Sequence, residues 1–152
     1  MPYEAHEEAR KHGISYARDD ILLMPVFKGF GQRLLVNETK QLAGLAEARF
    51  MCQNIDGESV AIAATRLSQR KEKRKILIVL SDGYPAGNGS SGLLAGHLKK
   101  TVKEIEKSGI DVFAIGIQTE AVKRFYSKFA LINDVSELPS VVIGKMKEML
   151  VQ

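Results

Sequence analysis

The chain has 152 residues, of which 45% are hydrophobic and 26% charged, and its formal net charge is +4. This length and composition suit one domain with a hydrophobic core, and the lack of any apolar run near ~18 residues excludes a membrane span. The single cysteine, Cys52, excludes an intramolecular disulfide and indicates a reducing compartment. Since the polar residues 1–8 are unlike a signal peptide, we expect a cytoplasmic protein.

The first half of the chain predicts an extended segment followed by two helices. Residues 21–27 are mostly apolar, and Pro25 favours an edge or irregular strand because proline lacks a backbone donor. Asn37 is a candidate N-cap for a helix with apolar residues at helical spacing as far as Phe50. A polar loop at residues 53–58 then separates this helix from the next. The apolar face of the second helix contains Val60, Ala63, Ala64 and Leu67.

A basic run at residues 70–75 carries much of the excess positive charge. It connects the second predicted helix to a predicted strand, where positive charge favours the negative end of the helix. No aromatic side chain that could stack on a base is interleaved with it. We therefore expect no nucleic-acid partner.

Two aliphatic runs in the second half predict buried strands. Residues 76–80 are all aliphatic, which is typical of a strand buried on both faces of a parallel sheet. A loop from Gly83 to Gly92 leads to an amphipathic helix that ends at Gly109, since glycine is favoured just past a helix end. Residues 111–117 form the second buried strand.

The last part of the chain predicts a short strand at residues 129–133 and a closing helix. Ser136 is the candidate N-cap of this helix, and Pro139 falls in the first turn, where proline is tolerated. The apolar face of the helix contains Leu138, Val142, Met146, Met149 and Leu150. Strands and helices thus alternate, as in a parallel sheet built from right-handed crossovers. We expect one α/β domain over residues 1–152.

Asp82 is the first candidate for a functional residue. It follows the strand at residues 76–80 at its carboxyl end, where open α/β sheets bind ligands, so its carboxylate indicates an oxygen-ligand cation site. The alternative is that Asp82 and Gly83 form a turn that only ends the strand. Asp56 also has two interpretations: a first-turn helix carboxylate, or a second ligand of Mg²⁺ beside Asp82.

Two further patterns have structural interpretations beside the functional ones. His97 lies among apolar positions of its helix, so we expect a partly buried histidine more than a ligand. Phe125 and Tyr126 stand among basic residues. They are either part of an exposed binding element or part of an amphipathic turn that covers the sheet.

Gly87, Gly89 and Gly92 match the dinucleotide-binding pattern G-x-G-x-x-G between a strand and a helix. Residues 83–86 make the loop too long for the tight first turn of that motif. Asp111 has the spacing expected of the ribose-binding acid, but it begins its strand instead of ending it. We treat the run as a flexible loop and keep a nucleotide-binding Rossmann-type enzyme as the alternative function.

Several segments together resemble a von Willebrand factor A domain, and more closely that of the cobaltochelatase T subunit, a cobalamin-biosynthesis protein. The likeness spans about residues 20–150. The matching segments are Asn54-Ile55-Asp56-Gly57-Glu58, Ile78-Val79-Leu80-Ser81-Asp82-Gly83-Tyr84-Pro85, His97-Leu98, Ala114-Ile115-Gly116-Ile117, Arg124-Phe125-Tyr126 and Asn133-Asp134. The implied fold is a Rossmann-like, three-layer α/β domain with a mainly parallel sheet.

The resemblance implies a metal-ion-dependent adhesion site for Mg²⁺ at the carboxyl edge of the sheet. Asp82 matches the aspartate that ends the fourth strand of the family, and Asp56 lies where the second-loop ligand belongs. The implied partner-binding loop contains Gly83, Asn88, Ser90 and Ser91. The first loop of the family, Asp-x-Ser-x-Ser, is missing: Asp134 begins a similar run, but Leu138 replaces the final serine.

The chain therefore resembles an amino-terminally truncated domain that lacks the first strands. Such a sheet has unpaired edges, through which copies could self-associate, and a remnant that only assembles is a third interpretation. The resemblance implies an accessory, non-catalytic subunit of a metal chelatase complex. The implied partners are an AAA+ ATPase subunit and a large catalytic subunit that inserts cobalt into a corrin ring, with no membrane involved.

Overall fold

The computed structural model describes residues 22–33, 36, 40, 54–87 and 90–151. The chain divides into two compact units. The first contains Met1–Ile55 and Ala86–Gly89, and the second contains Asp56–Pro85 and Ser90–Gln152. The organisation of residues 1–152 as one domain stays a prediction.

The described part of the first unit has little regular secondary structure. Residues 22–26 are not in a strand, so the prediction of an edge strand is wrong for them. Leu23, Met24 and Val26 are exposed, which leaves the segment without a buried face. Pro25 in addition removes a backbone donor that pairing would need.

Two other parts of the first unit bear on the predictions. The helix predicted to follow Asn37 lies outside the described residues except at Lys40, which is helical. An isolated antiparallel bridge joins Asn54 and Ala86, and the Ala86 N–H donates to the Asn54 carbonyl oxygen at 2.9 Å.

The second unit contains a parallel sheet of three strands, β1 (Ile76–Ser81), β2 (Asp111–Ile117) and β3 (Phe129–Ile132). The strand order is β1-β2-β3. β1 pairs with β2 from Ile76 opposite Asp111 to Ser81 opposite Gly116, and β2 pairs with β3 over its second half. The predicted strands and their parallel arrangement are thus confirmed.

Helices cover both faces of this sheet. α1 (Asp56–Ser68) and α2 (Ser91–Lys107) pack on one face, and α3 (Leu138–Val151) packs on the other. Short 3-10 helices follow β2 at Ala121–Arg124 and β3 at Val135–Glu137. The core on the α1 and α2 face includes Val60, Ala64, Leu98, Val102, Val112, Ala114, Val122 and Tyr126. The core on the α3 face includes Phe113, Ile115, Ile132 and Met149. The predicted three-layer α/β class is confirmed.

β1 differs from its prediction in burial. Its residues are half-buried, and Leu80 is 49% exposed, whereas β2 is buried from Val112 to Gly116. The reason is position, because β1 has a neighbour on only one side in the described sheet. The aliphatic run therefore predicted the strand correctly, but the prediction that the strand is buried on both faces is wrong.

The helix ends confirm one prediction and correct another. α2 ends before Ser108 and Gly109, and Gly109 has φ +87°, the left-handed conformation that favours glycine. Ser136 is not an N-cap but lies inside the 3-10 helix Val135–Glu137 that leads into α3, and the N-cap of that 3-10 helix is Asp134, whose carboxylate accepts the Ser136 N–H at 2.7 Å. Glu137 accepts the Asp134 N–H at 2.9 Å and completes a capping box.

The apolar face of α3 is also narrower than predicted. Leu138, Val142 and Met149 pack toward the sheet as expected, together with Val141. Met146 and Leu150 are exposed, because they lie on α3 beside the line of side chains that faces the sheet. Within the described ranges, no helix combines the length and the apolar character needed to cross a membrane.

Replacing Asp134 by asparagine should make stability less sensitive to acid. Hydrogen bonds from the Ser136 side chain and backbone N–H lower the pKa of Asp134. A carboxyl with a lowered folded-state pKa stabilises the fold above its unfolded pKa of about 3.9, and this contribution is lost as the pH falls through the folded value. Asparagine keeps a capping oxygen but does not titrate. We expect the Tm of Asp134→Asn to fall less than that of the wild type between about pH 5 and pH 2. Parallel Tm profiles would contradict this.

Candidate functional site

The topology of the second unit brings several polar residues to one edge of the sheet. The strands are parallel, α1 leads into β1, and α2 leads out of it, so both helices begin where the strands end. We call this region the carboxyl edge. It contains Asp56, Asp82–Tyr84, Ser90–Ser91, Gln118–Glu120 and Asn133–Asp134. Open α/β sheets bind ligands at this place.

Asp82 is the first residue after β1, and its side chain is exposed. The turn around it is held by Ser81, whose hydroxyl donates to the Gly83 carbonyl at 3.1 Å and accepts the Gly83 N–H at 3.4 Å. Among the described residues the Asp82 carboxylate has no hydrogen-bond or ion-pair partner of its own. Its oxygens are therefore available to a ligand at the carboxyl edge.

Asp56 opens α1 and is half-buried. With Glu58 it places negative charge in the first turn, where the helix dipole favours it. The position of this turn depends on Gly57: a Cβ atom there would lie 2.5 Å from Nδ1 of His97 on α2. The partly buried state predicted for His97 is confirmed, and its ring lies against Gly57 at the start of α1.

The predicted partner-binding loop is described at three of its four residues. Gly83 is half-buried beside Asp82, and Ser91 is the exposed first residue of α2. Ser90 is the N-cap of α2, and its hydroxyl oxygen accepts the Leu93 N–H at 3.2 Å. Asn88 lies outside the described residues. Ser90 thus has a structural function whether or not it also contacts a partner.

The aromatic residues near the carboxyl edge divide into an exposed and a buried part. Tyr84 is 50% exposed, and the Phe125 ring meets it edge-on at 5.8 Å between centroids. The Arg124 guanidinium lies 5.6 Å from the centroid of the Tyr84 ring, a cation–π distance. Phe125 and Tyr126 are both buried. Of the two interpretations of this segment, the structure therefore favours an amphipathic turn that covers the sheet over an exposed binding element. Arg124 lies at the surface of this turn.

Tyr126 is a feature that the sequence interpretation missed. The residue is 4% exposed, and its hydroxyl has no hydrogen-bond partner among the described residues. Burial, and after it the nearby Asp56 carboxylate, raises the pKa of the phenol. An unpaired buried hydroxyl costs about 1–3 kcal/mol. No sequence pattern distinguishes such a tyrosine from one whose hydroxyl reaches solvent.

The described residues of the carboxyl edge supply few possible metal ligands. In the described part of the chain no group of three or more His, Cys, Asp or Glu side chains could hold an ion. Mg²⁺ is commonly held by one or two carboxylates and keeps several waters. Asp82 and Asp56 are the two carboxylates at this edge that the sequence predicts as Mg²⁺ ligands.

Gly92, the third glycine of the run, lacks the close packing expected in a dinucleotide site. Gly92 lies inside the first turn of α2, and a Cβ there would meet no atom within 4 Å. The third glycine of the fingerprint is needed for close helix–strand packing, which is not present here. Gly89 lies outside the described residues. β1 ends at Ser81 and α2 begins at Ser91, a separation in sequence longer than the fingerprint turn.

Comparisons with known proteins agree with the resemblance. Residues 14–152 match the family described as "Cobalamin biosynthesis protein CobT VWA domain". A curated relative, the "Uncharacterized protein YojO" of Bacillus subtilis (strain 168), is 31% identical over 108 residues. The alignment covers 64% of this chain and 17% of the relative, so the chain spans under a fifth of that protein. No solved structure matches the chain.

Proposed function

Because the chain belongs to the CobT von Willebrand A domain family of cobalamin biosynthesis, we propose that it is a non-catalytic interaction module of a multi-subunit metal chelatase. Its task is to bind other subunits, through a divalent cation at the carboxyl edge. Membership of this cobalamin-biosynthesis family supports a function in a chelatase complex. The chelatase, the cation, the partners and the absence of catalysis are all parts of the proposal.

The main support for the proposed cation site is the exposed, unpartnered carboxylate of Asp82. Its carboxylate is exposed at the end of β1 and has no partner in the described part of the chain. We assign Asp82 as the first ligand of Mg²⁺ and Asp56, at the start of α1, as the second. A bound Mg²⁺ supplies positive charge that a carboxylate of a partner protein can coordinate.

The partners we propose are an AAA+ ATPase subunit and the large catalytic subunit of the chelatase. Their contact surface is the loop that contains Gly83, Ser90 and Ser91, with Asn88. Tyr84 and Arg124 support this surface, because exposed tyrosine and arginine side chains are enriched among residues that dominate binding energy. No carboxylate of the described residues pairs with Arg124, so it is available to an acidic partner.

Asp82→Ala should abolish saturable Mg²⁺ binding. The variant removes the exposed carboxylate that we assign as the first ligand, so we expect the affinity to fall by at least about tenfold, or ~1.4 kcal/mol. Isothermal titration of Mg²⁺ into metal-free protein measures this. Asp111→Asn is the matched control, because Asp111 pairs with Lys128 at 2.6 Å at the opposite edge of the sheet. The control should bind Mg²⁺ like the wild type.

The outcomes of this titration distinguish an ion held at Asp82 from an ion bound elsewhere and from no ion at all. A wild-type protein that is folded and does not bind Mg²⁺ would overturn the cation site in this chain. Equal binding by wild type and Asp82→Ala would show that the ion sits elsewhere. Circular dichroism of each sample shows whether the variant is folded.

The free side of β1 supports a second mode of interaction. β1 pairs only with β2 in the described sheet, and Leu80 is exposed on it. A strand of another chain, or of a second copy, could pair there. Sedimentation of the titration samples with Mg²⁺ and with EDTA distinguishes this mode, since an assembly through strands keeps its mass without metal. A cytoplasmic location remains part of the proposal.

A further inference from the structure

The free side of β1 exposes a defined set of backbone hydrogen-bonding groups. The Asp111 N–H donates to the Lys75 carbonyl oxygen at 2.9 Å, so the backbone groups of Lys75 point toward β2. In a strand, these groups point to opposite sides at successive residues. Those of Ile76, Ile78 and Leu80 therefore point away from β2, and they have no strand partner in the described sheet. An edge of this kind is a template for a further strand.

β1 has none of the features that usually protect an edge strand. It contains no proline and no charged side chain, and it is aliphatic as far as Leu80. Ile76 and Ile78 pack toward the α3 face, and Leu80, the next residue on that face, is 49% exposed. A neighbouring strand would cover Leu80, so this side chain favours an apolar partner strand.

α3 also presents apolar side chains toward the free side of β1. Lys145 and Glu148 line a cavity with Phe129 at the start of β3, so their side of the helix faces β3. The opposite side of α3 carries exposed apolar side chains at helical spacing: Ile143, Met146 and Leu150. The Leu150 carbonyl oxygen accepts a hydrogen bond from the Arg74 guanidinium at 3.1 Å, which places the end of α3 beside the start of β1.

One antiparallel register between two copies of β1 pairs all of the outward backbone groups. Opposite residues of an antiparallel pair that exchange hydrogen bonds must both point toward the other strand. With Ile78 opposite Ile78 of a second copy, Ile76 stands opposite Leu80 at both ends, and each outward N–H and C=O has a partner. The copies are then related by a two-fold axis perpendicular to the sheet, the symmetry of the commonest homodimers.

The same register brings opposite charges together. Arg74 lies two residues before Ile76, and Asp82 lies two residues after Leu80, so Arg74 of one copy stands opposite Asp82 of the other. Arg74 is exposed and has donors beyond the one that Leu150 accepts. Opposite charges at opposed positions stabilise an antiparallel pair. Because the backbone alone selected this register, the charge complementarity independently supports a second copy as the partner.

We propose that the free side of β1 is the interface of a homodimer, in which two β1 strands pair antiparallel with Ile78 at the two-fold axis. The two sheets then form one sheet with the order β3-β2-β1-β1-β2-β3. This inference rests on the strand-pairing mode of the proposed function and requires no cation. Since the Asp82 carboxylate is also the proposed Mg²⁺ ligand, the tests are made in EDTA, where the dimer is measured separately from the cation site.

Leu80→Lys tests the interface by sedimentation equilibrium of the full chain. The wild type should have the mass of a dimer, and a lysine on an edge strand opposes strand addition, so the dimer Kd should rise by about tenfold or more. Leu131→Lys is the matched control, because Leu131 is an exposed leucine of β3 at the other end of the sheet. This control should remain dimeric. A monomeric wild type, or equal Kd values for wild type and Leu80→Lys, would overturn the inference.

A charge exchange tests the register. Arg74→Glu places like charges opposite each other at both ends of the pair, so we expect the dimer Kd to rise by about tenfold. Adding Asp82→Arg restores opposite charges and should recover most of the affinity. Lys103→Glu makes the same change in net charge on α2 and should have little effect. A double variant that dimerises no better than Arg74→Glu would overturn the proposed register.

Amide hydrogen exchange, measured by NMR, tests which backbone groups the dimer uses. The N–H groups of Ile76, Ile78 and Leu80 should exchange slowly in the wild-type dimer and at least about tenfold faster in the Leu80→Lys variant. Those of Leu77 and Val79 point toward β2 and should exchange slowly in both proteins. Fast exchange at the first three positions in a wild-type dimer would show that the copies meet elsewhere and would overturn the inference.

Discussion

Gly116→Ala is expected to destabilise the protein by about 2–3 kcal/mol, as overpacking of a core typically does. Gly116 lies in β2, the central strand, and a Cβ atom there would clash with the Thr119 carbonyl oxygen. The same atom would lie 2.9 Å from Cγ2 of Val122 and 3.0 Å from Cδ2 of Leu131. The backbone oxygen cannot rotate away like a side chain, so the chain after β2 must move.

Urea unfolding of Gly116→Ala measures this loss, and Gly96→Ala is the control. Gly96 lies in α2, and a Cβ there would meet no atom within 4 Å. Alanine favours a helix over glycine by about 1 kcal/mol, so the control should be as stable as the wild type or more stable. A Gly116→Ala protein within about 0.5 kcal/mol of the wild type would contradict the expected clash.

The second large effect is expected at Gly57, where His97 occupies the space of a side chain. A Cβ at Gly57 would lie 2.5 Å from Nδ1 and 3.0 Å from Cε1 of the imidazole. Gly57→Ala should therefore cost about 1–3 kcal/mol. Part of this cost is offset by the better helix propensity of alanine in α1.

A double-mutant cycle with His97→Ala isolates this contact. In the His97→Ala background the space beside Gly57 is open, so Gly57→Ala should be close to neutral or stabilising. The losses in unfolding free energy of the two single variants should then add up to more than the loss of the double variant. The difference, the coupling energy, is expected to be about 0.5–3 kcal/mol. The same cost of Gly57→Ala in both backgrounds would show that the imidazole is not the obstacle. Urea unfolding of the four proteins gives each free energy in the cycle.

The secondary structure of the second unit could be predicted because its signals are local. The aliphatic residues of β2 and the helical spacing of Leu94, Leu98 and Val102 in α2 are visible in short windows of sequence. The burial of β1 could not be predicted in this way. It depends on how many strands flank it, and the residues of β1 do not carry that information.

The cap of the 3-10 helix before α3 shows what a short window of sequence leaves open. Asp134 and Ser136 are both good N-cap residues, and the choice between them depends on which side chain has the right backbone geometry. The observed capping box needs Glu137, which accepts the N–H groups of Asn133 and Asp134. The pattern of an acid three residues before a glutamate is present in the sequence and favours Asp134.

The candidate site was predictable in part. The place of Asp82 after β1 and of Asp56 at the start of α1 follow from the order of elements, and the structure has both. Whether they hold Mg²⁺ stays a prediction. The Gly57–His97 contact and the burial of the Tyr126 hydroxyl could not be foreseen, because both depend on tertiary packing between residues far apart in the chain.

The position of β1 at the end of the described sheet connects the two modes of interaction. Asp82 is attached to a strand that hydrogen-bonds to a neighbour on one side only. A strand added to the free side would bond to the same backbone that leads into Asp82. For the proposed cation and such a strand, linkage requires reciprocity: whatever factor the added strand contributes to cation affinity, the cation contributes to strand affinity. Strand binding measured with and without Mg²⁺ would therefore give the same factor as Mg²⁺ binding measured with and without the strand.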